Sequence, residues 1–259
     1  PLTAFSYAWD SEEGTGAIVC DGALITVTNN CIAGLTNFRD DMIAGKNNAN
    51  EGTDARIWVD AICINQAATA VEKKGHQIAL MGGIYNKAAS VRVWLGEQDI
   101  PSRLACEYFA KVSGIENSKY YREFRWSNRG SEHHPRRVGR DMARRWPQLS
   151  RNLADFFSRS WFTRAWPVQE VTLPDSDRVT VVCGDQHLKL DAIRVGLDVL
   201  RELHVLPGSA NIDQAVALQF YLADAIALKR GRAPLESGKR FPDRSVSVFL
   251  HKCHKRHAS

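Results

Sequence analysis

The sequence predicts an α/β fold, a mostly parallel sheet flanked by helices on both faces. Two observations carry this prediction. Short apolar or alternating runs take turns with stretches of helical period along most of the chain, the order expected when parallel strands are joined by crossover helices. One run, RIWVDAI at residues 56–62, is apolar on both faces, the pattern of a strand covered on each side. At 259 residues and 44% apolar content the chain can bury a sizeable core.

In chain order, TAFSYAW at 3–9 reads as the first strand. ALITVT at 23–28 reads as a short strand in a hairpin with the residues before Asp21. Asn29 or Asn30 is a suitable N-cap for a helix running to about Gly45, because a short amide side chain can accept from the free first-turn amides. KNNANEGTD at 46–54 is a loop by composition. After the 56–62 strand, Ile78, Met81, Ile84 and Tyr85 recur at helical spacing and predict a helix over about 70–88. SVRVWLG at 90–96 is the next strand, ended by glycine, and LACEYFAKV at 104–112 is helical. LADFFSRSWF then leads to a helix starting near Pro167, followed by RVTVVCG at 178–184 as a strand. Two amphipathic segments, 190–206 and 211–229, supply extra C-terminal helices.

Charge is unevenly distributed. Residues 114–150 hold nine Lys and Arg against four acids, and 229–259 hold nine against two, in a chain whose net charge is +5. The favoured reading is a solvated basic insertion plus a basic terminal helix. Nucleic acid is not expected as a partner, since Tyr120, Tyr121, Phe124 and Trp126 lack the strand spacing of a base-stacking platform. No apolar run approaches the roughly 18 residues of a membrane span. The six cysteines contain no CxxC pair, and a chain of this size does not need disulfides, so a reducing, cytoplasmic setting is expected. HKCHKRH at 251–257 fits no standard zinc spacing, and its flanking cations would repel a metal ion, so no metal is expected. The chain opens at Pro1 without a methionine and enters a strand within three residues, which suggests a piece excised from a longer protein.

Ligands of open parallel sheets gather beyond the carboxyl ends of the strands. That rule draws Trp9 and Asp10, after the first strand, together with Cys63, Asn65 and Gln66, after RIWVDAI, toward a common crevice. Asp60 falls inside an otherwise apolar run. A buried carboxylate costs several kcal/mol unless paired, so it needs either backbone amides or a ligand as partner. In TRAWPVQE, proline favours the first helical position, which puts Pro167 at the helix start and Glu170 in the first turn, on one face with Trp166. The positive field at a helix N-terminus favours an ionised Glu170. A first-turn glutamate that merely stabilises its own helix fits the same pattern.

Three blocks in this order, TAFSYAWD at 3–10, IWVDAICINQ at 57–66 with HQIALMGGIYNKAASVRVWLG at 76–96, and WFTRAWPVQEV at 161–171 with VVCG at 181–184, resemble those of the fungal heterokaryon incompatibility (HET) domain. SVSVFLHKCHKRHAS at 245–259 looks like that family's helix before its usual arginine-aspartate block, so the chain is expected to be cut at both ends. Departures are Asp10 in place of the usual glycine, Pro167 in place of an aliphatic residue, and the 114–150 insertion. The resemblance implies one domain in two parts, residues 1–113 and 151–259, separated by the insertion.

The same resemblance implies a role in non-self recognition and programmed cell death, with homo-oligomerisation on activation and other death-signalling proteins as partners. HET domains are also regarded as distant relatives of TIR domains, some of which cleave NAD, which implies a TIR-like or flavodoxin-like sheet. Thr163, Trp166, Pro167 and Glu170 line up with the TIR Ser-x-x-Trp-Cys-x-x-Glu pattern, with substitutions at the first and third, and Glu170 maps onto the required glutamate. NAD or a related nucleotide is then the expected substrate, with no bound cofactor. Nicotinamide leaves a pyridinium as a neutral base, so one carboxylate facing the oxocarbenium-like ribose suffices. Glu170 would supply it, Trp166 or Trp9 would stack on a ring, Ser6, Tyr7, Asp60 and Asn65 would position ribose or phosphate, and Arg164 would meet the phosphates. No P-loop is present, since GGIYNK at 82–87 lacks its spacing. A noncatalytic, self-associating adaptor remains the alternative.

Overall fold

The computed structural model describes residues 1–9, 16–46, 56–64, 80–116, 136–164 and 167–202. The strands are β1 (Leu2–Tyr7), β2 (Gly16–Cys20), β3 (Ala23–Val27), β4 (Arg56–Val59), β5 (Ser90–Trp94), β6 (Val179–Cys183) and β7 (Gln186–Lys189). The labelled helices are α1 (Asn29–Ile43), α2 (Asp60–Cys63), α3 (Ile100–Glu116), α4 (Arg136–Phe157), α5 (Pro167–Thr172) and α6 (Leu190–Glu202), and residues 80–87 are also helical.

β4, β1, β5, β6 and β7 form one sheet in that order; the first four strands run parallel, and β7 pairs antiparallel with β6. Numbered along the chain, this is the flavodoxin-like order 2-1-3-4-5. The chain leaves β1 toward β4 on one side and returns to β5 on the other. The reversal lies between β1 and β5, where such sheets open a crevice at their carboxyl ends.

Alternation along the strands divides the core into two layers. Ala4, Ala8, Val91 and Val93 face the larger layer with Phe109 of α3, Phe156 and Phe157 of α4, and Leu197 of α6. Phe5, Tyr7, Trp94 and Val182 face the smaller layer with Cys31 of α1 and Val27 of the hairpin. β2 and β3 form a separate two-stranded ribbon. Its two-residue turn has positive φ at Asp21 and Gly22, 49° and 79°, which suits an Asp-Gly pair.

Helix α1 shows why this sequence folds as it does. Cys31, Gly34, Phe38 and Asp41 recur at helical spacing and are the buried positions. Thr28, rather than either asparagine, is the N-cap: its Oγ1 accepts from the Cys31 amide at 3.2 Å. Asn30 is spent elsewhere, donating to the Ala8 carbonyl at 2.8 Å and accepting from the Trp94 indole at 2.9 Å, so that it ties the ends of β1 and β5 together. Gly34 lets the helix approach the sheet, since a Cβ there would lie 2.5 Å from Phe5 Cζ.

One expected boundary moves. The strand expected over 56–62 ends at Val59, and Asp60 starts the single turn of α2, where its own carboxylate can hold a backbone amide. The helix beginning at Pro167 is real but has only six residues. β7 was not anticipated; QHLK pairs antiparallel with β6. The basic stretch is partly regular, because α4 runs unbroken from Arg136 across residue 150 to Phe157, with Pro147 inside it. The 211–229 helix and the basic segment at 229–259 lie outside the described residues. Among the described residues, no helix is long and apolar enough to cross a membrane.

Candidate functional site

The carboxyl end of β1 is where the chemistry-bearing side chains converge. Ser6 and Tyr7 are neighbours and therefore point to opposite faces of the sheet. Ser6, with Ala4 and Ala8, turns toward the larger layer and meets α5, where its hydroxyl donates to Glu170 Oε2. The Trp161 indole N–H donates to the same Ser6 oxygen at 2.7 Å. Glu170 is 4% exposed and Ser6 is 1% exposed, so this is an internal polar cluster.

Tyr7 turns the other way. Its ring is buried, and its hydroxyl lies beside Cys31 and Thr28, where burial pushes its pKa far up. Trp9 continues from the strand tip, lies nearly parallel to the Tyr7 ring at 6.4 Å and 22°, and keeps 39% of its surface exposed. Its indole N–H reaches Asp60 Oδ1 at 3.4 Å, and the same oxygen accepts the Ala61 amide at 2.7 Å. Asp60 therefore has the backbone partner its apolar setting demanded, at the end of β4, and it also faces the aromatic tip of β1.

Arg164 joins the two halves. It donates to the Tyr7 carbonyl, and its charge favours the ionised form of both Glu170 and Asp60. This bond uses one of its five donors, so the expectation that Arg164 meets a phosphate is left as an expectation.

Desolvation decides the electrostatics. Burial pushes Glu170 from 4.5 to about 7, opposed by the Ser6 hydrogen bond and Arg164 and reinforced by Asp60. The anticipated helix-dipole effect does not dominate; the helix is one and a half turns long, and removal of water outweighs its field. Asp60 is raised as well, chiefly by burial, against the Ala61 amide, Arg164 and the Trp9 indole. Two carboxyls thus sit near one cation at the carboxyl end of a parallel sheet. Such a group can aim negative charge at a substrate where positive charge develops, and Glu170 within it titrates at about 7.

Ser6, Tyr7, Trp9, Asp60, Arg164 and Glu170 are brought to the ends of β1 and β4, although Ser6 and Tyr7 lie on opposite faces. Asp10, Asn65, Gln66 and Trp166 lie outside the described residues. Cys63 is exposed on α2. Sequence reasoning missed two members. Trp161 was quoted in a motif but given no role, although a buried indole N–H has to find an acceptor. Tyr85 was read as an apolar helix position, yet its hydroxyl donates to the Phe5 carbonyl at 3.3 Å, and burial first, then both site carboxylates, raise its pKa.

A family model described as heterokaryon incompatibility protein (HET) matches residues 3–170. Heterokaryon incompatibility protein 6, OR allele, of Neurospora crassa is 28% identical to this chain over 129 residues, which is 45% of this chain and 19% of that protein. The chain therefore matches about a fifth of that relative's length. No solved structure matches.

Proposed function

The chain belongs to the heterokaryon incompatibility family, and from that premise we propose that it acts in fungal non-self recognition and programmed cell death by hydrolysing the nicotinamide–ribose bond of NAD at Glu170. The observation that carries the reading is a carboxylate raised to about 7, hydrogen-bonded to Ser6 at the carboxyl end of β1 beside Asp60 and Arg164. In the reaction the C–N bond breaks with its electrons going to nicotinamide, which leaves neutral. Ionised Glu170 opposes the positive charge that develops on ribose, water adds to the same carbon, and one proton is released to solvent. Trp9, half exposed at the strand tip, offers a ring face for a nicotinamide or adenine, and Asp60 accepts from ribose hydroxyls. Asp10, Asn65, Gln66 and Trp166, from the same family blocks, are proposed as further ligand-binding residues.

The test is nicotinamide release from NAD by the native chain and by Glu170→Ala, with folding followed by circular dichroism. Turnover in the native chain and its loss in a folded variant support the reading; equal turnover in both excludes it.

One observation favours a second reading. A glutamate only 4% exposed, bonded to a buried serine, is also what an internal brace between α5 and β1 requires. On that reading the domain is a noncatalytic, self-associating death-signalling adaptor. Val19 and Leu24, opposed on the hairpin and 72% and 76% exposed, are its natural contact points. No nicotinamide release, combined with concentration-dependent association that Val19→Asp abolishes, would establish it.

A further inference from the structure

The segment between α4 and α5 is pinned at both ends. Arg159 donates to the Leu95 and Glu97 carbonyls, at 2.9 Å each, so it holds the chain leaving β5; Arg164 holds the Tyr7 carbonyl on β1. Between them Trp161 is 1% exposed and packs edge-on against Phe162, at 5.1 Å and 86°. Phe162 in turn contacts Phe156 and Phe157 of α4. The indole is therefore a fixed donor, and its N–H is aimed at Ser6 Oγ at 2.7 Å.

That fixes a direction. An indole N–H only donates, so Ser6 must accept from it and keeps its single proton for another acceptor. An ionised carboxylate only accepts. The hydrogen bonds consequently run one way, from Trp161 to Ser6 to Glu170. A protonated Glu170 can still accept the serine proton through its carbonyl oxygen, but that neutral bond is weaker than the charge-assisted one to the carboxylate.

We propose that Trp161 is a positioning residue for Glu170: by holding Ser6 as an acceptor on one side, it aims the serine proton at the carboxylate and favours the accepting, ionised form. This deepens the reading of Glu170 as the charge-stabilising group and rests on it for its catalytic consequence. The hydrogen-bond relay itself has readouts that need no turnover.

The experiment is a side-chain 13C NMR titration of Glu170, assigned with Glu170→Gln, in the native chain, Trp161→Phe and Ser6→Ala. Trp161→Phe keeps an aromatic ring and removes the donor. The midpoint is expected to rise by about half a pH unit in Trp161→Phe and further in Ser6→Ala. The indole 15N–1H resonance of Trp161 in the native chain is expected to titrate with the same midpoint as Glu170, a measurement that holds even if a variant fails to fold. If NAD is hydrolysed, the rising limb of the kcat profile should move with the midpoint while KM changes little. An indole resonance flat across the Glu170 titration, or a native midpoint in folded Trp161→Phe, overturns the proposal. Shifted midpoints with no nicotinamide release sink the hydrolytic reading and leave the positioning role standing.

Discussion

At residue 170 two requirements conflict. A carboxylate stabilises a cationic ribose only when ionised, yet burial makes the ionised form costly. The folded-state value near 7 lies above the unfolded 4.5, so the protonated form is the one folding favours. Stability from this group is fully present below pH 4.5 and declines as pH rises to about 7. Above that the ionised group costs on the order of 3 kcal/mol. Glu170→Gln keeps the shape and removes the charge; it should raise the midpoint of urea unfolding at pH 8 and leave it nearly unchanged at pH 4. A variant less stable than the native chain at pH 8 would contradict this. The residue was singled out in the sequence through the family resemblance, since a first-turn glutamate that merely stabilises its own helix fits the same local pattern. Its electrostatics were not legible there: the N-terminal position suggested an ionised group, and only the packing of Ser6 and Trp161 around it shows that desolvation wins.

Helices and strands were legible where period and burial agree. β1, β5, β6 and α1 all fall where their patterns place them, because each buries side chains at the period the sequence carries. β7 escaped because its identity depends on a neighbour strand, and the end of β4 escaped because Asp60 turns the chain by holding its own following amide. Two predictions belong to α1. Gly34→Ala would place a methyl 2.5 Å from Phe5 Cζ and 2.8 Å from Trp94 Cδ1, both in the packed layer, so it should cost roughly 1–3 kcal/mol in urea denaturation. A loss below a few tenths would show that the helix does not lie so close. Asp41, on the same helix, forms a buried ion pair with Arg92, which also donates to Asn37 at 2.6 Å, and His187 lies 3.1 Å from the carboxylate. Asp41→Ala removes the countercharge of the buried Arg92 guanidinium and should cost roughly 3–5 kcal/mol. Replacing both partners, Asp41→Leu with Arg92→Met, should recover most of that loss. Equal destabilisation in the single and double variants would refute the ion-pair account.

On the scale of the molecule, the flavodoxin-like strand order is what gives these residues a common place. β1 lies beside the reversal of the sheet, so its carboxyl end meets β4 with Asp60, α5 with Glu170 and the segment carrying Trp161 and Arg164. Residues 3–9, 57–64, 161–164 and 167–171 of the three sequence blocks are far apart in the chain and adjacent in the fold for this reason. The most direct test is the pH profile of kcat/KM for nicotinamide release from NAD, which reports ionisations of the free protein. Activity rising with pH to half its maximum near 7 in the native chain, and absent at every pH in Glu170→Gln, is the predicted result. Native rates in Glu170→Gln, or a profile with no inflection between pH 5 and pH 9 in an active native chain, would contradict it.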